Sequence, residues 1–220
     1  FNEFFGSMIS MDDPRHARLR RIVSRGFTPL MLKSLEDRVD LVARRIVAGV
    51  AERGACDFVV DIAAPLPLEI VCDMMGIPAS QHASVFHNTN IILGPSDPEY
   101  VAQSDTMDVL NSLLAAGGEL AQLMAELGRL RREHPVDDLT SALVNAEVDG
   151  ERLTDAELAS FFILLVAAGN ETTRNAISHG MLALTTYPAQ LVAWQADFDR
   201  LAAGAVEEIV RWASPVIYMR

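Results

Sequence analysis

One helical segment constrains the fold of this 220-residue chain more than any other feature. Thr154 and Glu157 have the spacing of a capping box, which predicts a helix beginning at Asp155. No proline follows until Pro188. The helix is therefore expected to cover residues 155–187 and to be about 50 Å long, enough to cross a whole domain. Such a helix predicts a mainly α fold.

A polar cluster lies in the middle of this helix. Residues 161–167 are apolar on every side of a helix, which indicates burial all round. The next six residues are Ala168, Gly169, Asn170, Glu171, Thr172 and Thr173. A buried acid beside a hydroxyl and an inserted water has the parts of a proton relay, with Glu171 and Thr172 as its members. The alternative is a structural helix whose threonines bond back to the backbone and whose glutamate pairs with an arginine.

A second helix is predicted from Asp13 as N-cap and Pro14 as first helical residue to a stop near Gly26. Helical spacing places His16 and Arg20 together on its apolar side. A histidine and an arginine one turn apart are suited to hold carboxylates or phosphates.

The opposite side of that helix carries Arg18, Arg21 and Arg25, and we expect these three residues to form a basic strip facing solvent. The chain has 18 Lys+Arg against 30 Asp+Glu and a net charge of -12, so the strip is a local reversal of sign. It is suited to docking an acidic protein. The alternative for this helix is a solvated arginine face with a partly buried core histidine.

A third amphipathic helix, residues 205–214, contains Glu208 and Arg211 at a spacing that allows them to pair. Surface pairs at this spacing are common, so the pair alone indicates little. Taken together, the three segments resemble the cytochrome P450 haem-thiolate monooxygenases, and the bacterial members in particular. The resemblance implies the cytochrome P450 fold, with a small sheet that lies mostly outside these residues.

The resemblance also implies roles for the residues named above. His16 and Arg20 would bind the propionates of haem b, and Glu208 and Arg211 would form a structural pair. The distal face of the haem would be covered by Ala168, Gly169 and Thr172. Glu171 and Thr172 would deliver protons for hydroxylation of an apolar small molecule with O2. Electrons would come from a ferredoxin-type redox partner, for which we expect Arg18, Arg21 and Arg25 to form the docking patch.

The cysteine loop that ligates the haem in this family has no counterpart in the sequence. We expect residues 1–220 to be one domain, the central part of a cytochrome P450. On this resemblance we expect an N-terminal portion to be missing, the haem cysteine to lie beyond Arg220, and the piece alone to be inactive. Cys56 and Cys72 lack the pattern of that loop and are interpreted as packed thiols in a reducing, cytoplasmic compartment.

Elsewhere the sequence predicts helices over 29–53, 61–76, 80–93 and 99–133 and a weak strand over 56–60. No apolar run is long enough to span a membrane. The pI of about 4.8 argues against nucleic acid as a partner. Residues 80–112, the expected pocket roof, carry no basic residue except His82 and His87, which favours an apolar substrate.

Residues 64–69 and 72–78 look like actinobacterial members that include sterol and branched-lipid hydroxylases. Two other classes are considered. One is a non-catalytic helical relative that binds haem or another ligand. The more remote one is a helical isoprenoid synthase, which needs clustered carboxylates that residues 137–141 do not supply.

Overall fold

The computed structural model describes residues 6–95 and 106–216, without the side chains of residues 30, 32 and 34. The described α-helices are α1 (Arg15–Ser24), α2 (Pro29–Ala51), α3 (Pro65–Met75), α4 (His82–Leu93), α5 (Thr106–Glu133), α6 (Leu139–Asn145), α7 (Asp155–Thr186), α8 (Pro188–Ala196) and α9 (Phe198–Ala213). Within the described residues, the only β pairing is an isolated bridge between Val148 and Glu151. The prediction of a mainly α fold is confirmed.

Local capping explains where the long helix α7 begins. The Thr154 hydroxyl accepts from the Glu157 amide at 3.2 Å, and the Glu157 carboxylate accepts from the Thr154 amide at 2.9 Å. Both halves of the predicted capping box are therefore present. The helix ends at Thr186, before Pro188, and its predicted extent is confirmed to within one residue.

The start of α1 differs from its prediction by one residue. The helix begins at Arg15, so Pro14 lies just outside it rather than in its first turn. The Asp13 carboxylate accepts from the Ala17 amide at 3.1 Å. Asp13 thus still satisfies an otherwise unpaired amide at this end of the helix.

The predicted strand over 56–60 is wrong, because these residues lead into a π-helix, Val59–Ala63. The Asp57 carboxylate accepts from the amides of Val59 and Val60 at 2.9 and 3.0 Å. Asp61 in turn accepts from the Asp57 amide at 2.9 Å. These local bonds start a helical turn, which outweighs the strand propensity of the two valines.

The main core lies where α1, α3, α5 and α6 surround the first half of α7. Its largest fully buried side chains include Phe162 and Leu158 of α7, Met124 and Leu120 of α5, Leu139 and Leu143 of α6, Met75 of α3 and Ile22 of α1. By contrast, α8 and α9 contain no buried residue. A β-carbon on Gly180 of α7 would lie 2.9 Å from Ile209, so α9 crosses α7 closely at this glycine.

The predicted helices over 80–93 and 99–133 correspond to α4 and α5, although residues 96–105 lie outside the described part. The helix predicted over 61–76 is divided between the π-helix and α3. None of the described helices combines enough length with enough hydrophobicity to traverse a bilayer.

Candidate functional site

The polar motif of α7 lies at the edge of the packed core. Asn170 is fully buried, whereas Ala168 and Thr173 are exposed. The Thr172 hydroxyl donates to the Ala168 carbonyl at 2.7 Å. This is the back bond expected from the sequence, and it holds the hydroxyl against its own helix. The motif therefore has one side in the core and another side accessible.

Glu171 is held through both of its carboxylate oxygens. Oε2 pairs with the guanidinium of Arg174, and Oε1 accepts from Asn175 Nδ2 at 3.0 Å. All three residues belong to α7, so the helix itself orients the carboxylate, toward the residues three and four positions further along. Sequence reasoning named Glu171 but missed Arg174, although the spacing of three residues was the available signal.

Helix α4 brings polar side chains to its buried side. Asn88, Thr89 and Asn90 are all buried. Asn88 donates to Glu119 of α5 at 2.8 Å, and Thr89 donates to the Val85 carbonyl at 2.7 Å. Asn90 Oδ1 lies 3.5 Å from Arg174 Nη1. These polar side chains are held by protein groups inside the core, so they do not test the prediction of an apolar substrate.

Two grooves border the second half of α7. One has a volume of about 610 Å³, lies mainly between α7 and α9, and includes Thr172 and Thr173 in an otherwise mostly apolar lining. The other, about 670 Å³, lies between α7, α8 and α9 and contains none of residues 168–173. Only the first therefore adjoins the polar motif.

In α1, His16 and Arg20 differ in exposure. His16 is partly buried, and its Nδ1 donates to the Met8 carbonyl at 2.7 Å. Arg20 is exposed, so the prediction that it faces the interior is wrong. Helical spacing predicts the side of α1 on which Arg20 lies but not how the helix packs. Because α1 packs on the core through Leu19, Ile22 and Val23, Arg20 lies at the edge of the packed side.

The expected basic strip is exposed at Arg21 and Arg25, whereas Arg18 is mostly covered. Arg18 pairs with Glu157 and lies 3.3 Å from Glu151, with its side chain only 24% exposed. Arg21 pairs with Asp149 at 3.0 Å. Arg25 is exposed and has no ion pair within the described part of the chain. Acidic residues near the start of α7 thus neutralise two of the three charges.

A comparison with protein families identifies the chain: the model described as "Cytochrome P450" matches residues 69–210. The chain belongs to the cytochrome P450 family. The matched range includes Glu171, Thr172 and Glu208, whereas His16 and Arg20 lie before it. This membership agrees with the predicted fold and does not support the isoprenoid synthase.

Individual cytochromes P450 resemble the chain over nearly its whole length. The methyl-branched lipid omega-hydroxylase of Mycobacterium tuberculosis H37Rv is 54% identical over 99% of this chain and 50% of its own. The steroid C26-monooxygenase of the same strain is 38% identical over 95% of this chain and 46% of its own. A Mycobacterium marinum cytochrome P450 solved with pseudoionone is 44% identical, with a TM-score of 0.87, and the match covers 96% of this chain and 50% of that one. The chain spans about half the length of these relatives.

Cytochromes P450 carry haem b, and the residues present fit that group. Ala168 is exposed, and a β-carbon on Gly169 would meet only Val71, at 3.4 Å, so little side-chain bulk covers the backbone there. The adjoining groove at Thr172 has the largely apolar lining that a flat macrocycle requires. The Arg20 guanidinium and His16 Nε2 make no hydrogen bond within the described residues, so the guanidinium is a donor for a carboxylate and Nε2 becomes a second one when the ring is protonated.

Neither cysteine has the character of a haem ligand. Burial, reinforced by the charges of Asp73 and Glu69, raises the pKa of Cys72 from 9.0 to about 12, so it stays a neutral thiol. Cys56 is exposed, and the prediction that both thiols are packed is wrong for it. In the described residues, no group of three or more His, Cys, Asp or Glu side chains is arranged to hold a metal ion.

Glu208 and Arg211 of α9 form the predicted pair. Two bonds of 2.6 Å join Arg211 Nε and Nη2 to the two carboxylate oxygens. The hydrogen bond from Arg211 lowers the pKa of Glu208. Both side chains are at least 60% exposed, so within the described part of the chain the pair lies on an open surface.

Proposed function

We propose that this chain is part of a haem-dependent monooxygenase that hydroxylates an apolar, lipid-like substrate. The observation that carries the proposal is the placement of Glu171 and Thr172 at the edge of the packed core. Glu171 is oriented by Arg174 and Asn175, and Thr172 borders the apolar groove. An acid and an alcohol on consecutive residues at the edge of the core suit proton delivery.

Haem b, when bound, supplies the activation of O2 with two electrons, so that one oxygen atom enters a C–H bond of the substrate and the other leaves as water. Arg20 would hold one haem carboxylate through its guanidinium. His16 Nδ1 already donates to the Met8 carbonyl, which can only accept. His16 Nε2 can therefore donate to a carboxylate only when the ring is an imidazolium.

Thr172 and Glu171 would handle the protons of the reaction. In the described structure the Thr172 hydroxyl donates to the Ala168 carbonyl. Turning this proton toward a reacting group gives up one hydrogen bond, a net difference of about 1 kcal/mol, so the rotation is energetically accessible. The Glu171 carboxylate only accepts hydrogen bonds in this structure, so it would first take up a proton from solvent water at the accessible face. It would then pass that proton on through a water to replace the one on Thr172 Oγ1.

The similarity to known hydroxylases supports a substrate of lipid type. The relative that is 54% identical acts on methyl-branched lipids, and the one that is 38% identical acts on steroids. The mostly apolar lining of the groove beside Thr172 fits either kind of molecule. We favour a branched-chain lipid, because the greater identity lies with that relative.

An acidic ferredoxin would supply the electrons. Because Arg18 and Arg21 are engaged with acidic residues, Arg25, just after α1, would carry most of the attraction that these three arginines provide. Charge reversal at Arg25 should slow electron transfer and weaken its salt dependence, whereas reversal at Arg18 should mainly loosen the contact with α7. A rate and salt dependence that do not respond to Arg25→Glu would contradict this role.

The proton-delivery role is tested by Thr172→Ala in the full-length, haem-loaded protein. Binding of haem should be retained, while peroxide formed per electron pair consumed should rise about tenfold or more at the expense of hydroxylated product. The matched control is Thr186→Ala, because Thr186 makes the same bond to the carbonyl four residues earlier, also at 2.7 Å. Parent-level coupling in the Thr172 variant would overturn the assignment.

A further inference from the structure

Glu171 is connected to a second helix through Arg174. Arg174 Nη2 pairs with Glu171, and Arg174 Nη1 lies 3.5 Å from Asn90 Oδ1 on α4. The second contact is long for an N–H···O bond and is the weaker end of the bridge. Arg174 itself is mostly buried, with 20% of its side chain exposed. The setting of the carboxylate therefore depends on α4 as well as on α7.

Two buried asparagines near this bridge lack hydrogen-bond partners. Asn90 is 3% exposed, and its Nδ2 has no partner among the described residues. Asn170 is fully buried, and neither its Oδ1 nor its Nδ2 has a partner there. Asn170 precedes Arg174 by one helical turn, so both side chains lie on the same side of α7. The unpaired amide groups thus belong to the side of α7 that Arg174 uses to reach α4.

Three unpaired amide atoms in a core are costly, since each buried polar group without a partner costs about 1–3 kcal/mol. Proteins commonly resolve this with an ordered water that makes about three hydrogen bonds to such groups. The same α4 supplies a contrasting case: Asn88, equally buried, is satisfied by Glu119 and Ser84. Asn88 therefore provides a matched residue on α4 whose amide group already has partners.

We propose that Asn90 and Asn170 hold an ordered water between α4 and α7, and that Arg174 is the positioning residue joining this water site to Glu171. The inference rests on the proposed function of Glu171. Arg174 cannot give up its proton, so it orients the carboxylate and does not relay protons. Two nitrogens of the Arg174 guanidinium contact residues of different helices. A lysine at this position keeps the charge but has one nitrogen, so it makes only one of the two contacts.

The test uses the full-length, haem-loaded protein with Arg174→Lys and Asn90→Ala, and with Asn88→Ala as the matched control on the same helix. We expect all three to bind haem with the parent's absorption spectrum. Arg174→Lys and Asn90→Ala should raise peroxide release per electron pair about tenfold, with a changed solvent isotope effect, because a small displacement of a proton donor is costly. Asn88→Ala should leave both quantities at the parent level.

A crystal structure of the parent protein provides a readout that does not depend on activity. A water within hydrogen-bonding distance of both Asn90 and Asn170 is the expected result. A dry interface, or amide groups satisfied by other protein groups, would overturn the water site. Equal coupling in the Asn90, Arg174 and Asn88 variants would overturn the positioning role.

Glu171→Gln separates the two ideas. If this variant uncouples the reaction while Arg174→Lys does not, only the positioning role fails. If Glu171→Gln also leaves coupling at the parent level, the proposed role of Glu171 in proton delivery fails with it. In either case, the crystal structure alone decides whether Asn90 and Asn170 hold a water.

Discussion

The two halves of α7 are packed very differently. In the first half Leu158, Phe162 and Val166 are completely buried. After the polar motif, Gly180 is the only buried residue of the helix, and neither α8 nor α9 buries a side chain in the described structure. The motif lies at the junction. One continuous helix thus gives the acid and the alcohol a rigid support on one side and access on the other, which a reacting site requires.

The first half of α7 lies among the buried apolar contacts of the chain, whereas the second half of α7, together with α8 and α9, leaves apolar surface open. Large apolar side chains such as Leu182, Val192 and Trp212 are at least 60% exposed in the second region. Apolar burial provides most of the favourable free energy of folding, so the first half of α7 and the helices around it should hold the fold together. The effects of substitutions on the free energy of unfolding should therefore differ in size, and even in sign, between the two regions.

The largest difference is expected between the two thiols. Cys72 is buried in α3, beside the packed half of α7, whereas Cys56 is exposed. Alkylation of Cys72 requires the core to open, which costs about 5 kcal/mol or more in a stable domain. In the 220-residue chain at neutral pH we expect Cys56 to react at least about a thousand times faster than Cys72. Peptide mass mapping after timed exposure to iodoacetamide measures the ratio, and equal rates would show that this core is not formed.

The raised pKa of Cys72 adds a pH dependence with a defined sign. The folded state favours the neutral thiol, whose pKa rises from 9.0 to about 12, mainly through burial. The stability gained in this way is complete below the ordinary pKa and is lost as the pH rises toward 12. Unfolding and labelling of Cys72 should accelerate together in that alkaline range, and Cys72→Ala should reduce the dependence.

The next difference concerns two large aromatic residues. Phe162 is completely buried, so Phe162→Ala should destabilise the 220-residue chain by about 3–5 kcal/mol through lost burial and an unfilled cavity. Trp212 is 60% exposed, and Trp212→Ala should cost about 0.5 kcal/mol or less. Urea denaturation followed by circular dichroism compares the two. Similar costs would mean that the surface around Trp212 is packed in solution.

The capping signals gave the start of α7 correctly from the sequence, because capping involves residues only three positions apart. Thr28 illustrates the same point: its hydroxyl accepts from the Met31 amide at 3.2 Å at the start of α2. The strand predicted over 56–60 is wrong because strand propensity does not include the Asp57 carboxylate, which accepts hydrogen bonds from the next two valine amides. In both places the deciding contact was local and could be read from the sequence.

The contacts that set the candidate site are of another kind. Arg18 pairs with Glu157, and Arg174 approaches Asn90, although each partner is far away along the chain. Helical spacing gives the side of a helix on which a residue lies but not which helix packs against it. Sequence reasoning therefore named Glu171 and Thr172 as candidates but could not foresee that Arg174 connects Glu171 to α4.

The smallest expected difference in the free energy of unfolding is between substitutions of two glycines, one in each region. A β-carbon on Gly128 of α5 would lie 2.8 Å from Leu158 Cδ2, and Leu158 is fully buried and has little room to move. On Gly204 of α9 it would meet no atom within 4 Å. Alanine favours a helix over glycine by about 1 kcal/mol, whereas forcing an extra methyl group into a packed core costs about 1–3 kcal/mol.

Gly128→Ala should therefore destabilise the chain by up to about 2 kcal/mol, and Gly204→Ala should stabilise it by up to about 1 kcal/mol. Paired urea denaturation curves give both signs in one experiment. A stabilising Gly128→Ala would mean that α5 and α7 separate easily, which contradicts a rigid first half of α7. A destabilising Gly204→Ala would mean that another surface approaches α9 in solution, and the second region would then be packed as the first is. The opposite signs are expected because the same methyl group enters a filled interface in one region and open space in the other.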